Sequence, residues 1–170
     1  MPISEFTVAG ALVESPEGLL LVQNRRRNGS LDWSTPGGVI DATDASLLHG
    51  LAREVEEETG LRVLGWEGPI YEVRAVAPEL GWSMRCEVHR ALGFDGVLCI
   101  DDPDGIVIDA CFAARERWDE LLGTCAEWVR EPLAAWLAHR WGPSERRRFD
   151  YDVIGARRED VRVVRTSPAA

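Results

Sequence analysis

The chain has 170 residues, 45% of them hydrophobic and 28% charged, which is the composition of one ordinary globular domain large enough to bury its own core. A formal net charge of −10 excludes a broad basic footprint for nucleic acid, and a phosphorylated small molecule would need metal ions to supply the missing positive charge. No stretch approaches the roughly 18 apolar residues of a membrane span, and Met1–Glu5 carries no basic region followed by an apolar run, so a cytoplasmic location and no membrane partner are expected.

In chain order, Phe6–Val13 and Leu19–Val22 read as two strands, and the break Glu14-Ser15-Pro16-Glu17-Gly18 suggests a hairpin between them. A basic loop, Asn24–Ser30, leads to Trp33 and then to Pro36-Gly37-Gly38, where paired glycines permit close backbone approach. A helix is expected over Ala45–Thr59, capped by Asp44 and closed by Gly60, with Leu47, Leu48, Leu51 and Val55 forming its apolar face. Further strands are expected at Ile70–Ala77, Met84–Leu92, Val97–Ile100 and Ile106–Phe112, and helices near Arg115–Leu122 and Ala126–Arg140. Pro132 predicts a late start or a kink near Glu131 in the second of these. Phe149–Ile154 and Val161–Arg165 read as a terminal hairpin around Gly155. Strands first, one long central helix and helices later indicate an α+β fold or an αβα sandwich in a single domain.

The four cysteines, Cys86, Cys99, Cys111 and Cys125, show no pair two residues apart and read as free, buried thiols in a reducing compartment. His49, His89 and His139 are scattered, which argues against a histidine-based metal site or triad. The informative stretch is Arg53-Glu54-Val55-Glu56-Glu57-Glu58-Thr59-Gly60. At 3.6 residues per turn Glu54, Glu57 and Glu58 share one stripe beside the apolar face, while Glu56 points to solvent. Like charges at these spacings destabilise a helix by roughly 0.2–0.5 kcal/mol per pair, and their place near its C-terminus opposes the macrodipole. An oxygen-preferring divalent cation would reverse both effects, and Mg²⁺ is usually held by a few carboxylates plus substrate phosphates.

These residues resemble the Nudix box, whose pattern is Gly, five residues, Glu, seven residues, then Arg-Glu-apolar-any-Glu-Glu-any-Gly-apolar. Arg53, Glu54, Val55, Glu57, Glu58, Gly60 and Leu61 match every fixed position of its second half, and Gly38 corresponds to its first glycine. Asp44 stands where the family has Glu, Thr43 replaces the usual Gly, and eight residues rather than seven separate Asp44 from Arg53. The resemblance implies an αβα sandwich with a mixed sheet, to which a C-terminal helix and β-hairpin are added. It implies a core of about residues 5–125 and an extension of about 126–170. It also implies metal ligation by Glu54, Glu57, Glu58 and the Gly38 carbonyl, with Arg53 orienting a glutamate and Glu57 or Glu54 as the general base. Asp101, Asp102 or Asp104 would be the source of any further carboxylate, unless their Asp-Pro-Asp-Gly run is only a turn.

The activity implied is Mg²⁺-dependent hydrolysis (with Mn²⁺ as substitute) of a diphosphate linkage in a nucleoside diphosphate-linked small molecule, of the ADP-ribose or nucleotide-sugar class. Arg25 and Arg26, with Trp33, are candidate substrate contacts, because Arg suits phosphate and Trp stacks on a base. Pro78 lies 17 residues beyond Leu61, close to the position that marks ADP-ribose pyrophosphatases. One alternative is house-cleaning cleavage of nucleoside triphosphates; another is a non-catalytic nucleotide sensor, against which the intact glutamates count. The tryptophans Trp128, Trp136 and Trp141 and the C-terminal hairpin either form a homodimer interface or pack on the domain itself.

Overall fold

The computed structural model describes residues 2–168. Its strands are β1 (Ser4–Leu12), β2 (Glu14–Ser15), β3 (Gly18–Arg25), β4 (Leu31–Ser34) and β5 (Gly37–Val39), followed by helix α1 (Leu47–Thr59). Then come β6 (Arg62–Ala77), β7 (Trp82–Asp95), β8 (Val107–Ala113), α2 (Trp118–Leu122), α3 (Glu127–His139), β9 (Arg147–Ile154) and β10 (Arg162–Arg165). A mixed six-stranded sheet has the order β10-β9-β6-β7-β1-β5, with β1 parallel to β7 and β9 parallel to β6. The second sheet is built on β3, which pairs with β2, β4 and β8.

The first two long strands do not form the expected hairpin. Ala9–Leu12 and Leu19–Val22 are each buried on consecutive residues, hence on both faces, and each therefore lies inside a different sheet. The Pro16-Glu17 turn closes only the short ladder Glu14↔Leu19 and Ser15↔Gly18. Two cores result. Ala9, Ala11, Val13 and Leu20 pack under Leu51 and Val55 of α1, while Leu19, Leu21, Tyr71, Val73 and Phe149 pack with Leu121 of α2 and Leu133 and Trp136 of α3. Helices thus cover opposite sides of an α+β, αβα arrangement.

Several local expectations change. The N-cap of α1 is Ser46, whose hydroxyl accepts from the His49 N–H at 3.2 Å, because Asp44 is already engaged with Asp41 N–H and Arg53. Val97–Ile100 is not a strand: Gly96 turns the chain at φ 105°, and the Cys99 N–H donates to the Thr59 carbonyl at 2.9 Å, leaving Val97 81% exposed. Helix α3 starts at Glu127 and runs through Pro132. The terminal hairpin forms as expected, with Val163↔Val153, but β9 also extends the main sheet beside β6. Trp136 and Trp141 are buried in the chain's own core. Of the cysteines, Cys125 is buried and Cys99 exposed. No helix among the described residues is long and apolar enough to cross a membrane.

Candidate active site

A cavity of about 490 Å³ opens between the sheets, and its two ends differ in chemistry. One end is lined by Gly37, Gly38, Arg53, Glu54, Glu58 and Asp102; the other by Tyr71, Val73, Met84, Val88, Trp128 and Val129.

The acidic end begins with two glycines. Strand β5 lies against β1 with Gly38 opposite Ala9 and Gly37 opposite Gly10. Gly37 has φ 142°, and a Cβ there would come within 2.1 Å of the Ala9 carbonyl oxygen. A Cβ on Gly38 would come within 2.9 Å of the Glu54 carboxylate. The missing side chains therefore let the glutamates of α1 close onto backbone. Glu58, 8% exposed, accepts the Gly37 N–H at 2.9 Å. Burial pushes its pKa up to about 8; the Gly37 N–H pulls it down, and Glu54, Asp102 and Glu57 push it further up. Glu54 is raised as well, by burial first, with Arg53 opposing and Glu57 and Asp104 adding to the rise.

Arg53 organises the rest. Its Nε and one terminal nitrogen form a fork on Asp44, both at 3.0 Å, while the other lies 2.9 Å from Glu54 and 3.1 Å from Glu57. The fork holds the Asp44 carboxyl below the usual carboxylate range, helped by the Asp41 N–H. Asp44 sits against Gly50, where a Cβ would come within 2.6 Å of its carboxylate.

The expected residues fall into three groups. Gly38, Arg53, Glu54 and Glu58 meet at the cavity wall, and Arg26 joins them, its guanidinium already forked onto Asp32 at 2.6 and 2.7 Å. Glu57 is on the same helix, bound by Arg53 and outside the cavity lining. Arg25 is exposed, and Trp33 is buried, its N–H donating to Thr124 Oγ1 and its carbonyl accepting from the Cys125 thiol; neither lines the cavity. Glu56 is exposed. Asp102 and Asp104 both line the acidic end, whereas Asp101 does not. Asp102 also shapes its own turn, accepting the N–H groups of Asp104, Ile106 and Val107.

Tyr71, Met84 and Trp128 carry no motif. The period-2 alternation Tyr71-Val73 on β6 and Met84-Cys86-Val88 on β7 signals a common face, but whether that face is core or cavity depends on what α3 leaves open. Asn24, 5% exposed, also lines the wall, its amide nitrogen donating to Asp32 and Ser34.

Among the described residues, no three His, Cys, Asp or Glu side chains converge as a ready ligand group. The donor set nevertheless fits a hard divalent cation. Glu54 and Glu58 are carboxylates raised by burial, and a cation would relieve both that cost and their repulsion. The guanidiniums at this end, Arg26 and Arg53, are both already paired, so a polyphosphate arriving without cations would meet net negative charge.

The NUDIX domain family profile matches residues 5–90. A curated "MutT-like protein" of Streptomyces ambofaciens is 45% identical over 62 residues, covering 36% of this chain and 38% of that protein; the match thus spans well under half the length of the relative. Among solved structures, the chain is similar to a MutT protein from Methanosarcina mazei (TM-score 0.66, 19% identity, 82% of this chain and 98% of that one). It is also similar to the ORF135 protein of E. coli (TM-score 0.63, 20% identity, 81% and 94%). A third is an ADP-ribose pyrophosphatase from Streptococcus suis (TM-score 0.51, 23% identity, 84% and 98%). At these identities the structural likeness concerns the fold.

Proposed function

The chain belongs to the Nudix domain family, and from that premise we propose that it hydrolyses a diphosphate linkage in a nucleotide-like small molecule with the help of Mg²⁺. The observation that carries the reading is the placement of Glu54 and Glu58, the first half-buried and the second buried, against the Gly37-Gly38 backbone, at one end of a cavity whose other end is apolar.

Glu54 and Glu58, with the Gly38 carbonyl and Glu57, would hold the cation, and Mn²⁺ would substitute for it. When bound, the cation would neutralise diphosphate oxygens and lower the pKa of water at the site. The chain's own part is positional. Glu54 or Glu57 accepts the water proton, and Arg53 decides which, since one guanidinium nitrogen lies within 3.1 Å of both. Asp44 keeps that guanidinium in place from behind. Asp102 and Asp104 are the candidate further carboxylates, on the strength of their place at the acidic end. Arg26 would meet the phosphates by exchanging Asp32 for them. The free cysteines support a reducing, cytoplasmic setting.

The substrate class we propose is a nucleoside diphosphate-linked molecule such as ADP-ribose or a nucleotide sugar. A second reading, cleavage of a nucleoside triphosphate, is favoured by one specific observation: the large side chains of the cavity lining, Tyr71, Met84 and Trp128, form one group, a seat for a single organic moiety. Products decide between them. The purified chain is expected to turn over one member of a panel of ADP-ribose, nucleotide sugars and nucleoside triphosphates only when Mg²⁺ is present. Two monophosphate esters would establish the first reading, and monophosphate plus pyrophosphate the second. Tight binding of a panel member without turnover would sink both and leave a sensor.

A further inference from the structure

The apolar end of the cavity contains a hydroxyl with nothing to bind. Tyr71 is 3% exposed, and its ring is held edge-on by Trp141 and Phe149 at centroid distances of 6.3 and 5.9 Å. The groups facing it have other partners: Tyr151 donates to Glu131 at 2.7 Å, the Cys125 thiol to the Trp33 carbonyl, and the Cys86 thiol to the Glu87 carbonyl at 3.9 Å. Among the described residues, the side-chain polar atom both sealed and unpaired is His89 Nδ1. The Tyr71 hydroxyl has no hydrogen-bond partner among the described residues and is not sealed, and the residue forms cavity wall, so the cavity is where a partner can reach it. A group that enters this end excludes solvent from the hydroxyl, so one that pairs with it is favoured over one that leaves it without a partner. Burial also holds the Tyr71 pKa well above its ordinary value, which keeps the hydroxyl a neutral donor and acceptor.

The walls around it restrict what that group can be. Val73, Met84 and Val88 come from β6 and β7, and Trp128 comes from α3, braced edge-to-face by Trp82 at 6.0 Å. A sugar would press several hydroxyls against these side chains with one partner between them, leaving the others unsatisfied. A flat heterocycle presents apolar faces to Met and Trp and keeps its polar atoms on one edge. We propose that Tyr71 is a specificity-determining residue, whose hydroxyl reads an edge atom of a heteroaromatic base seated against Met84 and Trp128. This rests on the proposed function, in which the diphosphate occupies the acidic end.

The test separates the two. AMP, GMP, CMP, UMP and ribose 5-phosphate are titrated calorimetrically, in excess Mg²⁺, into the wild type and into Tyr71→Phe, whose unchanged ring keeps the packing. The wild type is expected to prefer one base over the worst by at least about tenfold, the scale of one good hydrogen bond. Tyr71→Phe is expected to bring that ratio within about threefold while leaving ribose 5-phosphate unaffected and Tm within a few degrees. An unchanged preference in Tyr71→Phe overturns the role of the hydroxyl. Ribose 5-phosphate binding the wild type as tightly as the nucleotides overturns the base subsite. Either result leaves the hydrolase reading intact. Absence of any binding, together with no turnover in the substrate panel, removes the proposed function and this subsite with it.

Discussion

The two ends of the cavity are built by opposite means. Most of the acidic end comes from one short piece of chain, from β5 to α1, in which Gly37, Gly38, Asp44, Arg53, Glu54 and Glu58 are wired together by backbone contacts and charged hydrogen bonds, with Arg26, Asp102 and Asp104 added from elsewhere. The apolar end is gathered from β6, β7 and α3, whose cavity residues Tyr71, Met84 and Trp128 are far apart in sequence and meet only through packing. The match to the Nudix profile, residues 5–90, contains the glycine pair and the glutamates of the acidic end but stops before Asp102, Asp104 and α3. Under the proposed function, most of the geometry for the chemistry would thus come from a local motif, and the wall that would choose a substrate is completed by an element outside it.

The contrast makes predictions of decreasing size. Glu54→Gln removes a carboxylate at the acidic end without changing its shape, and kcat is expected to fall by at least about a hundredfold with KM little altered. A loss in KM alone would mean that the acidic end binds rather than reacts. Trp128→Ala should do the reverse, raising KM about tenfold while kcat stays within about twofold, as steady-state kinetics on the preferred substrate would show. Equal losses in both variants would erase the division between the two ends.

The smallest effect concerns pH. Glu58 has a folded-state pKa of about 8, above its ordinary value of 4.5, so its contribution to stability is fully present below pH 4.5 and is lost as pH rises through 8. In metal-free buffer Tm is therefore expected to fall by roughly 5 °C between pH 5 and 8 relative to Glu58→Gln, in which this dependence is flat. Added Mg²⁺ should remove the difference by making the ionised form the favourable one. A wild type that matches Glu58→Gln across this range without Mg²⁺ would mean that Glu58 is solvated, and would weaken the case for a buried carboxylate at the acidic end.

The α1 region was legible because its determinants are local. Helical spacing alone puts Glu54 and Glu58 on one stripe and Glu56 outside it, and Gly60 closes the helix in the left-handed region at φ 75°. Neighbouring details escaped where two roles competed for one side chain: Asp44 reads as an N-cap, but Arg53 claims it and Ser46 takes the helix end. Arg25 opens and Trp33 follows a loop expected to reach the substrate, yet β3–β4 pairing and the Thr124 hydroxyl turn Trp33 into the core.

By itself, then, the sequence determined the helix, its carboxylate stripe, the glycine pair and the terminal hairpin, since each depends on side-chain spacing or dihedral freedom within a few residues. Tertiary structure alone decided that β1 and β3 enter different sheets, that Asp102 and Asp104 line the same cavity as Glu54 and Glu58, and that Tyr71, Met84 and Trp128 share one wall. These depend on which buried faces find each other across the chain, and a run of apolar residues has the same pattern whether it lines a core or a cavity.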